Sequence, residues 1–228
     1  MYTILCIMTC RHFLKKNEWI TNVLGLREHK VRSNPLVSVE LTELRKKGIA
    51  AMIKHLRLKA YGKINLALDV LGRRDNGYHD VRMIMQTVGL HDRIELYRTK
   101  EPGIRLETNL FYLPNNEQNL AYRAAALLME EFGVKEGVSI KLKKFIPVSA
   151  GMAGGSTDAA AVLFGVNKMF GLGLSIKELM ERGVKLGADI PYCLMRGTAL
   201  SEGIGEELTP LPQIPQCQVL IAKPGISV

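Results

Sequence analysis

The chain has 228 residues, 47% of them hydrophobic and 23% charged, enough for one large domain with a well-buried core. No apolar stretch approaches the roughly 20 residues needed to span a bilayer, which argues against a helical membrane protein, and the four cysteines (Cys6, Cys10, Cys193, Cys217) form no CxxC pair, which argues against a zinc cluster or a disulfide framework and for a reducing cytoplasm. Of the formal net charge of +9, residues 1–51 supply +5, from nine Lys/Arg against four Asp/Glu, so the basic balance of the remainder implies no nucleic-acid partner.

The opening run MYTILCIMTC is apolar but is followed, not preceded, by the basic RHFLKK, the reverse of a secretory signal. Residues 1–51 show no sustained helical or strand periodicity and end in the basic cluster Arg45, Lys46, Lys47. Composition changes at Met52, which is expected to be the true start, with 1–51 an upstream extension or a disordered tail.

In KINLALDVLG, the apolar Ile64, Leu66, Leu68 and Val70 alternate with Asn65, Ala67 and Asp69, which predicts a half-buried strand with Lys63 and Asn65 on one face. Further strands are expected at 81–88, 93–97, 103–107 and 138–143, punctuated by Asp75-Asn76-Gly77 and Glu101-Pro102-Gly103. Helices are expected at 119–132, 156–170 and 175–186, each stopped by a glycine, the last opened by a Ser175/Glu178 capping box. Met83, Met85, Phe164 and Phe170 have the spacing of core residues. A final strand is expected at 219–222. Strands that precede and interleave with helices indicate an α+β layer arrangement.

The densest signal is PVSAGMAGGSTDAAA at 147–161. Gly151, Gly154 and Gly155 leave backbone amides sterically open beside the start of a helix, whose first N–H groups are unpaired and partially positive, so phosphate binding is the natural use. The segment is neither a Walker A sequence nor a GxGxxG fingerprint. A plain tight turn with a serine cap is the competing reading, and the extra Gly151 weighs against it.

PVSAGMAGGSTDAAA resembles the ATP-binding motif of the superfamily of galactokinase, homoserine kinase, mevalonate kinase and phosphomevalonate kinase. Three further segments, KAYGKINL from Lys59, RDNGYH from Arg74 and LGADIP from Leu186, are similar to those of the 4-diphosphocytidyl-2-C-methyl-D-erythritol kinases of the non-mevalonate isoprenoid pathway, in the same order and spacing over about residues 56–228. The resemblance implies a two-domain small-molecule kinase with a ribosomal-protein-S5-domain-2-like ATP-binding domain at 52–212, and 213–228 as the start of a truncated second domain. It implies ATP and Mg²⁺ as cofactors, a small-molecule substrate carrying a cytidine diphosphate group, and phosphorylation of its 2-hydroxyl, with no dedicated metal ligands.

By the same resemblance, Asp189 takes or orients the hydroxyl proton and Lys63 stabilises that carboxylate and the moving phosphoryl. ATP is expected to meet Pro147, Ser149, Ala150, Gly151, Met152, Ala153, Gly154, Gly155, Ser156, Thr157, Lys144 and Asn119, although an N-cap explains Asn119 equally well. Asn65, Tyr78 and His79 are expected to bind substrate, the aromatic face against cytosine. For Asp189 the plain alternative is a capping aspartate ahead of Pro191. The readings that compete for the chain as a whole are a homoserine kinase-like enzyme, a basic RNA-binding module and an inactive truncated remnant.

Overall fold

A computed structural model describes residues 5–10, 53–75 and 77–222. In chain order the elements are β1 (Leu5–Cys10), β2 (His55–Arg73), β3 (His79–Thr99), β4 (Gly103–Thr108), α1 (Leu120–Glu131), β5 (Gly137–Lys143), α2 (Gly154–Phe170), α3 (Ile176–Gly183), α4 (Ile190–Met195), β6 (Thr198–Glu202), β7 (Glu207–Leu211) and β8 (Cys217–Ala222). The expected start at Met52, the basic cluster at 45–47 and the run 223–228 lie outside the described residues.

The long β3 is the spine of a six-stranded sheet. One edge pairs antiparallel with β2 from His55 opposite Tyr97 to Arg73 opposite His79. The other edge pairs with β5 over 93–99 and with β6 over 83–86. β4 runs parallel to β5 and is joined to it through α1, because parallel neighbours need a crossover. β7 pairs with β6.

Along β2 and β3 the side chains alternate, so Leu56, Leu58, Ile94 and Leu96 face inward and Arg57, Arg93 and Glu95 outward. The inward set meets the alanines of α1 (Ala121, Ala124, Ala125) and α2 (Ala159, Ala160, Ala161), whose small side chains let both helices lie close to the sheet. Each buried Leu or Ile contributes about 1.5–3 kcal/mol of transfer free energy to this layer. A second, smaller core of Ile64, Val88, Ile146, Ala150, Met152, Cys217 and Val219 sits beneath the glycine-rich segment. Among the described residues no helix is long and apolar enough to cross a membrane.

The α+β expectation holds, with several local differences. The strands expected at 81–88 and 93–97 are one strand, because the ladder to β2 continues through His91 and Asp92, opposite Tyr61 and Ala60. Leu68 and Val70 are 38% and 51% exposed rather than half-buried. Bulges between Asn65 and Ala67 and between Val70 and Gly72 interrupt the alternation there, and a one-residue slip turns a side chain to the other face. A strand at 5–10, paired antiparallel with β8, appears where no periodicity was legible, since a continuous apolar run carries no alternation.

The helix expected at 175–186 ends at Gly183, where Ile190 packs so close that a Cβ would lie 2.6 Å from its Cγ2. Met83 and Met85 are buried, and Phe164 and Phe170 pack against the main core from its margin. The capping box is formed, with Ser175 accepting from Glu178 N and the Glu178 carboxylate accepting from Ser175 N. Ser175→Ala is expected to lower stability by about 1 kcal/mol, read as a shift of the urea midpoint at constant m-value.

Candidate active site

Among the described residues β2 pairs with β3 alone, which leaves its other edge without a strand there. That edge is closed by three other segments. Arg196 Nη2 donates to Lys59 O at 3.2 Å, Thr157 Oγ1 donates to Tyr61 O at 2.8 Å, and Lys63 N donates to Met152 O at 3.1 Å. The need to satisfy an edge strand thus gathers the end of α4, the first turn of α2 and the glycine-rich segment around Lys63. Gly62 permits this approach: a Cβ there would stand 3.3 Å from Ile146 Cδ1 and 3.4 Å from Met152 Cε. The bulge at Gly62 also lets Lys63 and Ile64 both be buried, at 6% and 3% exposure.

The glycine-rich segment has left-handed backbone at every second residue: Ser149 (φ 53°), Gly151 (φ 65°) and Ala153 (φ 56°, ψ 33°). Alternation of left- and right-handed backbone is the pattern of the N–H concavities that bind anions. Two of the three are not glycine, so the shape is held at a cost of about 1–2 kcal/mol each. Among the described residues the only other positive φ outside glycine is at Arg196, directly after α4. α2 starts at Gly154, two residues earlier than expected, so the N–H groups of its first turn directly follow this segment.

Of the residues expected at ATP, Pro147, Ser149, Gly151 and Gly155 are exposed, and Ala153, Gly154 and Ser156 are half-buried. Ala150, Met152 and Thr157 are buried, Met152 and Thr157 at 1% and 2% exposure, which leaves their backbones as the groups able to meet a ligand. The two adjacent glycines also differ. A Cβ on Gly154 would lie 3.2 Å from Lys144 Nζ and 3.3 Å from Ile146 Cγ2, whereas one on Gly155 would meet only Leu120 Cδ1, at 3.5 Å. Gly155→Ala is therefore expected to keep or raise the thermal midpoint by gaining up to about 1 kcal/mol of helix propensity, while Gly154→Ala lowers it.

Asn119 Oδ1 accepts from Ala121 N at 3.0 Å and its Nδ2 donates to Pro114 O at 2.8 Å, so this side chain caps α1. Lys144 is buried between Asp92 and Asp158.

Asp189 occupies the N-cap position of α4 but makes no capping hydrogen bond. Its half-buried carboxylate makes no hydrogen bond or ion pair among the described residues. Lys63 Nζ donates to Asn65 Oδ1 at 3.1 Å, as their shared face predicts. Lys63 and Asp189 do not form an ion pair, yet both act on Cys193, one helical turn after Asp189. Burial pushes the Cys193 thiol well up, Asp189 pushes it further and Lys63 opposes.

The end of α4 is locked by a closed circuit. Gly197 N donates to Thr87 Oγ1 (3.1 Å), Thr87 Oγ1 lies 3.0 Å from Tyr192 Oη, and Tyr192 Oη donates to Gly197 O (2.7 Å). Burial pushes the Tyr192 phenol well up, so it stays a donor. Arg196, stacked 5.0 Å over the Tyr61 ring, completes the lock. Sequence reasoning missed these residues, and the one sign of them is the Arg196-Gly197 pair closing α4.

Tyr78 and His79 stand at the turn of the β2–β3 hairpin, ten residues along the ladder from Lys63, with the Arg74–Asp80 ion pair (2.5 Å) bracing the turn. Tyr78 is 57% exposed. Asn76 of this turn lies outside the described residues.

Residues 119–197 match the GHMP kinases N terminal domain. A 4-diphosphocytidyl-2-C-methyl-D-erythritol kinase of Lachnospira eligens is 59% identical over 176 residues, covering 77% of this chain and 61% of that protein. The enzyme of the same name from Lachnoclostridium phytofermentans is 61% identical over 173 residues, covering 76% and 60%. A crystal structure of 4-(cytidine 5'-diphospho)-2C-methyl-D-erythritol kinase superposes with a TM-score of 0.60 at 37% identity, over 68% of this chain and 55% of that one. The mevalonate kinase of Methanococcus jannaschii shares the fold, with a TM-score of 0.54 at 16% identity over 74% and 57%. The chain thus spans about 60% of the length of the curated relatives it matches. The glycine-rich segment and Asp189 fall inside residues 119–197, the part of the chain that matches the GHMP kinases N terminal domain, whereas β2 precedes it.

Proposed function

We propose that this chain catalyses transfer of the γ-phosphoryl group of ATP to the 2-hydroxyl of 4-diphosphocytidyl-2-C-methyl-D-erythritol. The observation that carries the reading is the carboxylate of Asp189, which makes no hydrogen bond or ion pair among the described residues and acts on the same Cys193 thiol as the buried Lys63. The names of the relatives support the choice of substrate.

The concavity and the first turn of α2 hold the ATP phosphates through backbone N–H groups. Mg²⁺ travels on those phosphates and neutralises their charge. The substrate oxygen forms a bond to the γ-phosphorus while the bond from phosphorus to the β–γ bridging oxygen breaks, and ADP leaves. Asp189 accepts the hydroxyl proton. Lys63, steadied by Asn65, stabilises the charge on the transferring group. Tyr78 and His79 meet the cytosine ring at the hairpin turn. Cys193 is a free, buried thiol, which suits a reducing cytoplasm.

The test is incubation of the chain with MgATP and this substrate, with ADP release and product mass as readouts. A product heavier by one phosphoryl group supports the reading. ADP release with homoserine but not with the cytidine-bearing alcohol would place the chain in another branch of the family.

A further inference from the structure

Lys144 lies directly under the first residue of α2 with a side chain only 5% exposed. Its Nζ donates to Asp92 Oδ2 and, at 2.6 Å, to Asp158 Oδ2. Asp92 Oδ1 in turn accepts from Phe145 N at 2.5 Å and Ile146 N at 2.8 Å, the two residues that lead into the glycine-rich segment. Asn109 grips the backbone of Lys144 from the loop after β4, accepting from its N at 2.7 Å and donating to its O at 3.3 Å. Four segments therefore meet around Lys144: β3 and α2 at its ammonium, the loop after β4 at its backbone, and the lead-in from β5 that carries it.

Stability alone is a poor reason for such an arrangement. Three charges in a site with side-chain exposures of 0%, 3% and 5% are costly to desolvate, and buried ion clusters are often replaced by apolar groups of similar volume at no loss. The cost is visible at Asp158, whose Oδ1 is buried and without a partner among the described residues. Burial holds that carboxyl well above the usual range, against the pull of Lys144. What an apolar cluster could not do is fix direction. The carboxylate of Asp92 sets two successive backbone N–H groups, and the Lys144–Asp158 pair sets the rotation and depth of α2 at its first turns.

We propose that Asp92, Lys144 and Asp158 form a positioning triad that fixes the phosphate-binding segment against the sheet, so that Lys144 acts on the nucleotide through the backbone it anchors and not by touching it. This rests on the reading of the concavity as the ATP site. It gives Lys144 a different task from the direct contact that resemblance implied.

The test compares MgATP affinity by isothermal titration with the urea midpoint, in the unaltered chain, Asp158→Asn, Lys144→Met, and the triple variant Asp92→Leu/Lys144→Met/Asp158→Leu. Asp158→Asn leaves an oxygen that can accept from Lys144 Nζ but weakens its hold on α2, and is expected to bind MgATP about threefold more weakly, a smaller loss than in the triple variant. Lys144→Met strands two buried carboxylates and is expected to lower the midpoint sharply or to prevent folding. The triple variant is expected to fold, yet to bind MgATP at least about tenfold more weakly, with faster amide exchange at Phe145 and Ile146, because misplaced donors lose binding energy steeply. A folded triple variant with unaltered affinity overturns the triad as a positioning device, and so does one that cannot fold, since the ions would then be holding the fold itself. Absence of MgATP binding by the unaltered chain overturns the ATP reading first and the triad with it.

Discussion

Asp189→Asn is expected to lower turnover by about 10²–10⁴-fold while changing ATP affinity less than about threefold. The substitution is nearly isosteric, and asparagine caps a helix as well as aspartate does. If Asp189 were a structural cap ahead of Pro191, the exchange would be silent. Its carboxylate makes no capping hydrogen bond, so the unfolding midpoint is expected to stay in place as well. What the exchange removes is a carboxylate able to accept a proton at the start of α4. Steady-state ADP release, with titration of ATP as the control, reads the effect, and an asparagine variant of full activity would end the assignment of Asp189 as the base.

Gly165→Val is expected to destabilise the chain by about 3 kcal/mol, the upper part of the range for overpacking. Gly165 is where α2 touches the sheet. A Cβ there would lie 2.3 Å from Leu96 Cδ1 and 2.8 Å from Leu58 Cδ1, both side chains being almost fully buried. Alanine is expected to do less harm, because up to about 1 kcal/mol of helix propensity offsets part of the clash. The helix cannot lift away without moving the concavity at its own N-terminus, so the folded fraction of Gly165→Val is expected to bind ATP more weakly too. Urea midpoints at constant m-value check the first effect. A valine variant within about 1 kcal/mol of the unaltered chain would mean that α2 stands further from the sheet.

Local signals reported local structure well. Alternation, glycine stops and the Ser175/Glu178 box placed most of the strands and helices, because each depends on residues within one or two turns of each other. They failed where a neighbour distant in sequence decides. α3 is shortened at Gly183 because Ile190 arrives there, and β3 runs unbroken because β2 pairs with it throughout. Asn119 could be read as a cap or as a nucleotide contact, and only the partners of its amide show the cap.

At the site, the composition of the segment from Pro147 to Thr157 was enough to suggest anion binding, since glycines and small residues before a helix leave amides accessible whatever the fold. The shape of the concavity was not legible, because nothing in the letters assigns left-handed backbone to Ser149 and Ala153. Nor did any spacing join Asp92, Lys144 and Asp158, which are 52 and 14 residues apart and meet only when β3, β5 and α2 are packed. The sequence alone therefore determined which chemical groups this protein has and which elements carry them. The tertiary structure decided which groups are spent and which remain available: the edge of β2 and the buried charges take Thr157, Arg196 and Lys144 as partners, while the carboxylate of Asp189 is left without one among the described residues. The physical reason is that almost all buried polar groups find partners, Asp158 Oδ1 being an exception, and only packing determines which groups are buried together.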